Sequence, residues 1–138
     1  MVKKILLSIL CLHTCLFSNL YSETKAYFNS DCEKALISSI NKAKSNIKVA
    51  IFTFTRFTIA RALLAANKRG VKVEIILDKK QAKSEYGVKI LDVLENGSIS
   101  TILFDTNDDR VHMHHKFCII DRKSVITGNF IKGSTLLF

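Results

Sequence analysis

Residues 47–54 read IKVAIFTF, and this stretch decides the fold that we predict for the chain. Ile47, Val49 and Ile51 alternate with the residues between them, which strand geometry places on the opposite face of a sheet. Most positions on both faces are apolar. Such a run predicts a central strand that is covered on both sides.

Helical and strand patterns alternate around this central strand. Before it, Ser30 and Glu33 form the pattern of a capping box, which predicts a helix that runs to about Lys44. The elements predicted after it are a helix over 58–69, a strand over 71–77, a helix over about 83–95, and strands over 99–104, about 112–120 and 124–127. Strands joined by helices of this length favour parallel pairing, and the last two strands favour a hairpin. We therefore predict an α/β fold, a mixed β-sheet flanked by helices with a C-terminal β-hairpin.

The composition is that of one globular domain with a basic surface. The chain has 138 residues, 48% of them hydrophobic and 24% charged, and a formal net charge of +9. This charge favours anionic partners such as nucleic acid or an anionic lipid surface, although it is also compatible with a basic surface that serves only solubility.

Residues 1–22 have the layout of a secretory signal peptide. Lys3 and Lys4 precede an apolar run from Ile5 to Phe17, and a more polar stretch follows. The apolar run is shorter than the roughly 20 residues that span a bilayer, which disfavours the alternative of a retained anchor. We predict a cleaved signal peptide over 1–22, a domain over 23–138, and a secreted or periplasmic location.

The residues that suggest chemistry lie at 114–121, which read HHKFCIID. His114 and Lys116 are two positions apart on a predicted strand and so share a face, while His115 points the other way. An imidazole beside a fixed positive charge suits attack on a phosphodiester. Asp121 has the opposite parity and opens a turn, which favours a role in orienting the backbone over contact with substrate.

A metal site is the alternative interpretation of this region. His112, His114 and Cys118 share one face of the predicted strand. Structural zinc sites, however, usually close with four ligands from two spaced pairs, and the sequence offers no second pair. We expect no metal and no cofactor. Cys118 is expected to be a buried free thiol, although the sequence leaves its pairing with Cys32 open.

The spacing of His114, Lys116 and Asp121, followed by Thr127-Gly128-Asn129, resembles the HKD motif of the phospholipase D superfamily. It is most similar to small bacterial members with one motif per chain, which include secreted nucleases and phospholipase D-like proteins. The resemblance covers nearly all of the chain after the leader.

By this resemblance the chain is a metal-independent phosphodiesterase that hydrolyses phospholipid or nucleic acid. The resemblance implies that His114 is the nucleophile of a phosphohistidine intermediate, that Lys116 holds the phosphoryl oxygens, and that Asp121 is the third catalytic residue of the motif. It also implies a homodimer, because one motif supplies only one of the two histidines that the family's reaction uses.

The sequence departs from the family pattern after Gly128. The family continues with serine, one residue and asparagine, whereas Asn129 here either occupies the serine position or is the phosphate-binding asparagine after two missing residues. Family members also continue past the position of Phe138 with a strand, a helix and an acidic residue. We therefore expect the C-terminal part of the domain to be missing. The alternative function is a truncated, catalytically inactive remnant or an anion-binding module.

Two sets of residues point to different substrates. Candidate contacts to a nucleic-acid backbone are Lys42, Lys44, Arg56, Lys79, Lys80 and Lys83. Candidate lipid-facing residues are Phe54, Phe57 and Ile59, which core packing would explain as well.

Overall fold

The computed structural model describes residues 23–105, 108 and 110–128. The predicted leader and Asn129 lie outside these residues. The helices are α1 (Ser30–Lys42), α2 (Phe57–Lys68), α3 (Lys79–Ala82) and α4 (Glu85–Asn96). The strands are β1 (Asn46–Ile51), β2 (Lys72–Asp78), β3 (Ser100–Phe104), β4 (Lys116–Ile120) and β5 (Ser124–Thr127).

The five strands form one mixed sheet in the order β3-β2-β1-β4-β5. β1 pairs in parallel with β2, and β2 with β3. β4 runs antiparallel to both β1 and β5. The turn between β4 and β5 contains Asp121 and Arg122, whose φ angles are 54° and 57°. The prediction of a mixed sheet flanked by helices, with a C-terminal hairpin that carries the motif, is confirmed.

The hydrophobic core lies on one face of the sheet, where α1, α2 and α4 pack. Its members include Ile47, Val49 and Ile51 of β1, Val73, Ile75 and Leu77 of β2, Cys118 and Ile120 of β4, Leu36 and Ile40 of α1, Leu63 and Ala66 of α2, and Ile90 and Leu94 of α4. Each fully buried aliphatic side chain of this kind contributes about 1.5–3 kcal/mol. The residues on one face of the 47–54 pattern, Ile47, Val49 and Ile51, therefore pack the sheet against its helices.

On the opposite face of the sheet β1 is buried at Ala50 and exposed at Lys48, so the prediction that β1 is covered on both sides holds only in part. On this face Ile76, Ile102 and Val125 are exposed, the last two by 57% and 68%. Within the described part of the chain, the helices pack on the other face only. Apolar residues on both faces of the central strands form a surface on which a second layer of helices or strands could pack. The alternation of apolar residues does not show whether such a layer is present.

The capping box predicted for α1 is wrong. The N-cap residue is Asn29, which has a φ of 54° and makes no side-chain capping bond. The Glu33 carboxylate instead accepts hydrogen bonds from the Arg56 guanidinium and the Thr58 hydroxyl at the start of α2. A cation from a neighbouring element competes successfully with a local N–H for a carboxylate. Glu33 therefore joins two helices rather than starting one.

The third predicted helix, over about 83–95, corresponds to α4, and the short helix α3 that precedes it was not predicted. Each of the two helices has its own side-chain cap. Asp78 caps α3 through the N–H groups of Lys80 and Gln81, and Ser84 caps α4 through the N–H of Gly87. A Cβ at Gly87 would lie 2.1 Å from the Gln81 carbonyl oxygen, so the close approach of these helices requires glycine. None of the helices among the described residues is long and apolar enough to cross a membrane.

Candidate active site

The candidate site lies at the carboxyl ends of the parallel strands. Lys116 begins β4 and pairs with Ile51, the last residue of β1. Asp78, the last residue of β2, lies at the same end of the sheet. In open α/β sheets this is the edge where ligands bind, because loops and side chains converge there without blocking the sheet.

The strand that carries the motif begins at Lys116 and not near His112, as the sequence predicted. The Phe52 N–H donates to the His115 carbonyl at 2.9 Å, which extends the pairing with β1 by one step. The Met113 N–H instead donates to the Asp78 carboxylate at 3.1 Å. The Asp78 carboxylate thus takes the place of the backbone carbonyl to which a strand residue would donate. Residues 112–115 therefore form an irregular segment that places His114 at the end of the sheet.

The structure brings His114 and Lys116 together. The Lys116 Nζ lies 3.1 Å from Nε2 and 3.3 Å from Nδ1 of the His114 ring, and it donates to the His114 carbonyl at 3.2 Å. An ammonium and an imidazole within contact distance can address the same phosphoryl group, one through its charge and the other through a ring nitrogen. Their roles in catalysis stay predictions.

Phe52 forms a platform beneath this pair. Its ring centroid lies 4.8 Å from that of His114 and 5.7 Å from that of His112, and the Lys116 Nζ lies 5.5 Å from it. A cation over an aromatic face is attracted by the ring quadrupole. His115 contacts a different ring, that of Phe117, at 5.8 Å. The two neighbouring histidines therefore have different surroundings.

Asp78 is a residue that the sequence analysis did not select. Asp78 is buried, and its carboxylate accepts hydrogen bonds both from α3 and from Met113, the residue before His114. The Nδ1 of His112 lies 3.8 Å from Oδ2 of the same carboxylate. The available signal was an acidic residue directly after a buried strand, which marks the ligand-binding edge of a parallel sheet.

Asp121 lies at the opposite end of β4 from His114 and Lys116. The five residues of the strand separate it from that pair by roughly 15 Å. Its carboxylate accepts the N–H groups of Lys44, Ser45 and Asn46 at 2.8–3.2 Å and the Ser45 hydroxyl at 2.9 Å. The structure thus gives Asp121 a role in holding the hairpin turn to the segment before β1. It does not bring Asp121 to the other two residues of the motif.

Replacing Asp121 with asparagine is expected to lower the midpoint of thermal unfolding at pH 7 by several degrees. Hydrogen bonds from Ser45, Lys44 and Asn46 lower the pKa of the Asp121 carboxyl well below its usual range. Because the pKa is lower in the folded state, the ionised form stabilises the fold. This stability is present above the unfolded pKa of about 3.9 and is lost as the pH falls through the folded pKa. Melting curves from pH 7 to pH 2 measure it.

The matched control is Asp92→Asn, which removes a carboxylate on the exposed side of α4. We expect this variant to melt close to wild type at pH 7. The difference in the midpoint of thermal unfolding between wild type and Asp121→Asn should become smaller below about pH 4. If the two midpoints are equal at pH 7, or differ more in acid, the Asp121 carboxylate does not stabilise the fold.

Cys118 lies in the core and not beside the histidines. It is buried, and burial raises the pKa of its thiol to about 12, so it stays protonated at neutral pH. A metal ligand would have to be the thiolate. Among the residues that the structure describes, no group of three or more His, Cys, Asp or Glu side chains is gathered to hold a metal ion. Cys118 and Cys32 are both free thiols here.

The segment that leads to Asn129 returns to the candidate site. The Thr127 hydroxyl donates to the Lys116 carbonyl at 3.1 Å, and the Gly128 N–H donates to the same oxygen at 3.4 Å. Gly128 has a φ of 148°, which favours glycine. The role predicted for Asn129 concerns a residue outside the described part and stays a prediction.

The chain is similar to proteins of the phospholipase D family. The family model described as cardiolipin synthase, PLD-like domain, matches residues 36–135. A protein named phospholipase D from Rickettsia conorii is 36% identical over 101 residues, which cover 72% of this chain and 47% of the relative. A mitochondrial cardiolipin hydrolase from Danio rerio is 30% identical over 97 residues, which cover 68% of this chain and 40% of that protein. The chain thus spans less than half the length of these relatives.

Solved structures share the fold. Nuc from Salmonella typhimurium, a phospholipase D family member, superposes with a TM-score of 0.66 and 32% identity, covering 72% of this chain and 65% of that one. NucT from Helicobacter pylori has a TM-score of 0.60 and 31% identity, covering 69% and 63%.

Proposed function

This chain belongs to the phospholipase D superfamily, and from that premise we propose that it is a metal-independent phosphodiesterase that works through a phosphohistidine intermediate. The observation that supports this most directly is the 3.1 Å contact between the Lys116 ammonium and the His114 ring at the ligand-binding edge of the sheet. His114 is exposed and Lys116 is half-buried, and both lie at or just before the start of β4, where a phosphodiester can contact both groups.

The proposed reaction has two steps. A ring nitrogen of His114 attacks phosphorus and forms a P–N bond, while the P–O bond to the leaving alcohol breaks and that oxygen takes up a proton. Water then attacks the phosphohistidine and gives up a proton to the group that protonated the leaving oxygen, and the P–N bond breaks to regenerate His114. Lys116 offsets the negative charge on the phosphoryl oxygens in both steps. One such preorganised contact lowers a barrier by about 3 kcal/mol or more.

We further propose that two chains pair as a homodimer with their motifs facing each other. The leaving oxygen needs a proton donor while the attacking imidazole must be neutral, and these requirements call for two groups. A second His114 from a partner chain would supply the donor. A solution mass by light scattering of about twice the mass of one chain, as mass spectrometry gives it for the same preparation, is the expected result. A monomer that retains full activity at all concentrations would exclude this arrangement.

The substrate is a phosphodiester of phospholipid or nucleic acid, and the surroundings of the site bear on the choice. Lys80 and Lys83 follow Asp78 at the same end of the sheet as His114, whereas Lys44 lies beside Asp121 at the other end. Of the three lipid-facing residues predicted from the sequence, Phe54 and Ile59 are buried and Phe57 is 37% exposed, so one aromatic side chain of the set is available to a lipid. These positions favour a polyanionic substrate over insertion into a bilayer.

Hydrolysis that survives excess chelator is the expected result of the deciding assay. Plasmid DNA and vesicles that contain cardiolipin are incubated in parallel with the full chain and EDTA, because Lys116 takes the place of a metal ion in the proposed reaction. Cleavage of one substrate identifies its class. Activity that is lost with EDTA and restored by zinc would overturn the metal-independent mechanism. Cleavage of neither substrate, with retained binding of inorganic phosphate, would favour the anion-binding module instead.

We also propose that the protein is secreted or periplasmic, on the basis of the leader pattern over 1–22. Mass spectrometry of the protein recovered from its host should show an N-terminus near residue 23. An intact Met1 on the recovered protein would contradict cleavage.

A further inference from the structure

Asp78 uses its two carboxylate oxygens on two different elements. Oδ1 accepts the N–H groups of Lys80 and Gln81, both at 3.1 Å, and thereby caps α3. Oδ2 accepts the Met113 N–H, also at 3.1 Å. The Asp78 side chain is 4% exposed, so both oxygens depend on these partners in place of water.

Capping alone does not require this residue. Serine caps a helix about as well as aspartate and has only one side-chain oxygen. A buried carboxylate is costly unless each oxygen is hydrogen-bonded. The second oxygen of Asp78 is therefore committed to Met113, which is itself 7% exposed and directly precedes His114.

The two members of the candidate site are held by different means. Lys116 is the first residue of β4, and its pairing with Ile51 in the sheet sets its position. His114 lies before the strand begins, on the irregular segment that Asp78 contacts through Met113 and, at 3.8 Å, through the ring of His112. The position of His114 relative to Lys116 thus depends on a group outside the sheet ladder.

We propose that Asp78 is a positioning residue for the reaction: through the Met113 N–H it sets the backbone from which His114 reaches the substrate. This inference rests on the proposed function of His114. A displacement of about 1 Å between reacting groups can reduce the rate about 100-fold. Asp78 also joins α3, which contains Lys80 and is followed by Lys83, to the segment that carries His114.

Asp78→Ser separates positioning from capping, because serine retains the cap of α3 but has no second oxygen for Met113. The matched control is Ser84→Ala, which removes the cap of α4 and leaves Asp78 in place. At a temperature where both variants are folded, we expect kcat of Asp78→Ser to fall about 10- to 100-fold with KM changed less than about threefold. Ser84→Ala should keep kcat near the wild-type value.

A second measurement does not need turnover. In ¹H–¹³C spectra of the histidine rings, Asp78→Ser should shift the His114 signals and leave those of His115 in place, while Ser84→Ala should shift neither. Asp78→Asn preserves the side-chain volume and serves as the second variant if Asp78→Ser does not fold. If wild type hydrolyses no phosphodiester, the proposed function fails, and the spectra still decide whether Asp78 positions His114. Equal kcat in Asp78→Ser and Ser84→Ala, or unchanged His114 signals, would overturn the proposal.

Discussion

Replacing His114 with alanine is expected to reduce phosphodiester hydrolysis by at least about 10³-fold, because the variant lacks the nitrogen that forms the covalent intermediate. The His114 ring lies against the Lys116 ammonium, so it is the imidazole placed to share a phosphoryl group with that cation. The measurement is the initial rate of hydrolysis of whichever substrate, plasmid DNA or cardiolipin vesicles, wild type cleaves. Acid-labile labelling of wild type by a slowly hydrolysed substrate, absent in the variant, would show the intermediate itself.

His115→Ala is the matched control for this prediction. His115 is the adjacent residue, is exposed as His114 is, and contacts Phe117 rather than Lys116. We expect its activity to stay within about threefold of wild type, as for a residue that makes no contact with the transition state. Equal losses in the two variants would show that the segment, and not the His114 ring, carries the effect.

Lys116→Met is expected to lower kcat by about 10²- to 10³-fold while the protein stays folded. Methionine retains much of the aliphatic length of lysine and removes the charge that lies over the Phe52 ring, while its sulfur can contact the ring instead. The loss is expected because Lys116 is the fixed charge that the proposed reaction places on the phosphoryl oxygens in the transition state. Both formation and hydrolysis of the phosphohistidine should slow, which single-turnover measurements resolve.

Lys123→Met controls for the loss of one positive charge. Lys123 is exposed in the turn between β4 and β5, at the other end of the strand from the site. Since the effect of a distant surface charge is screened by salt, we expect little change in kcat at physiological ionic strength. A comparable loss in Lys123→Met would mean that net charge, and not the position of Lys116, supports activity.

The fold was largely predictable because its signals are local. The alternation in 47–54, the helical spacing after it and the turn before β5 each lie within a few residues, and together they predict parallel strands followed by a hairpin. The errors occurred where a side chain bonds to a distant partner. Glu33 was predicted to cap its own helix and instead bonds to Arg56 and Thr58.

The sequence by itself determined which residue types stand next to one another, and so it was sufficient to select His114 and Lys116 as a pair. Only the tertiary structure decided what holds each member of the motif. Asp78 reaches Met113 across 35 positions, and Asp121 reaches the segment before β1 across 75 to 77. Periodicity predicts the face on which a side chain lies, whereas the partner of a buried carboxylate depends on which strand ends become neighbours when the sheet assembles.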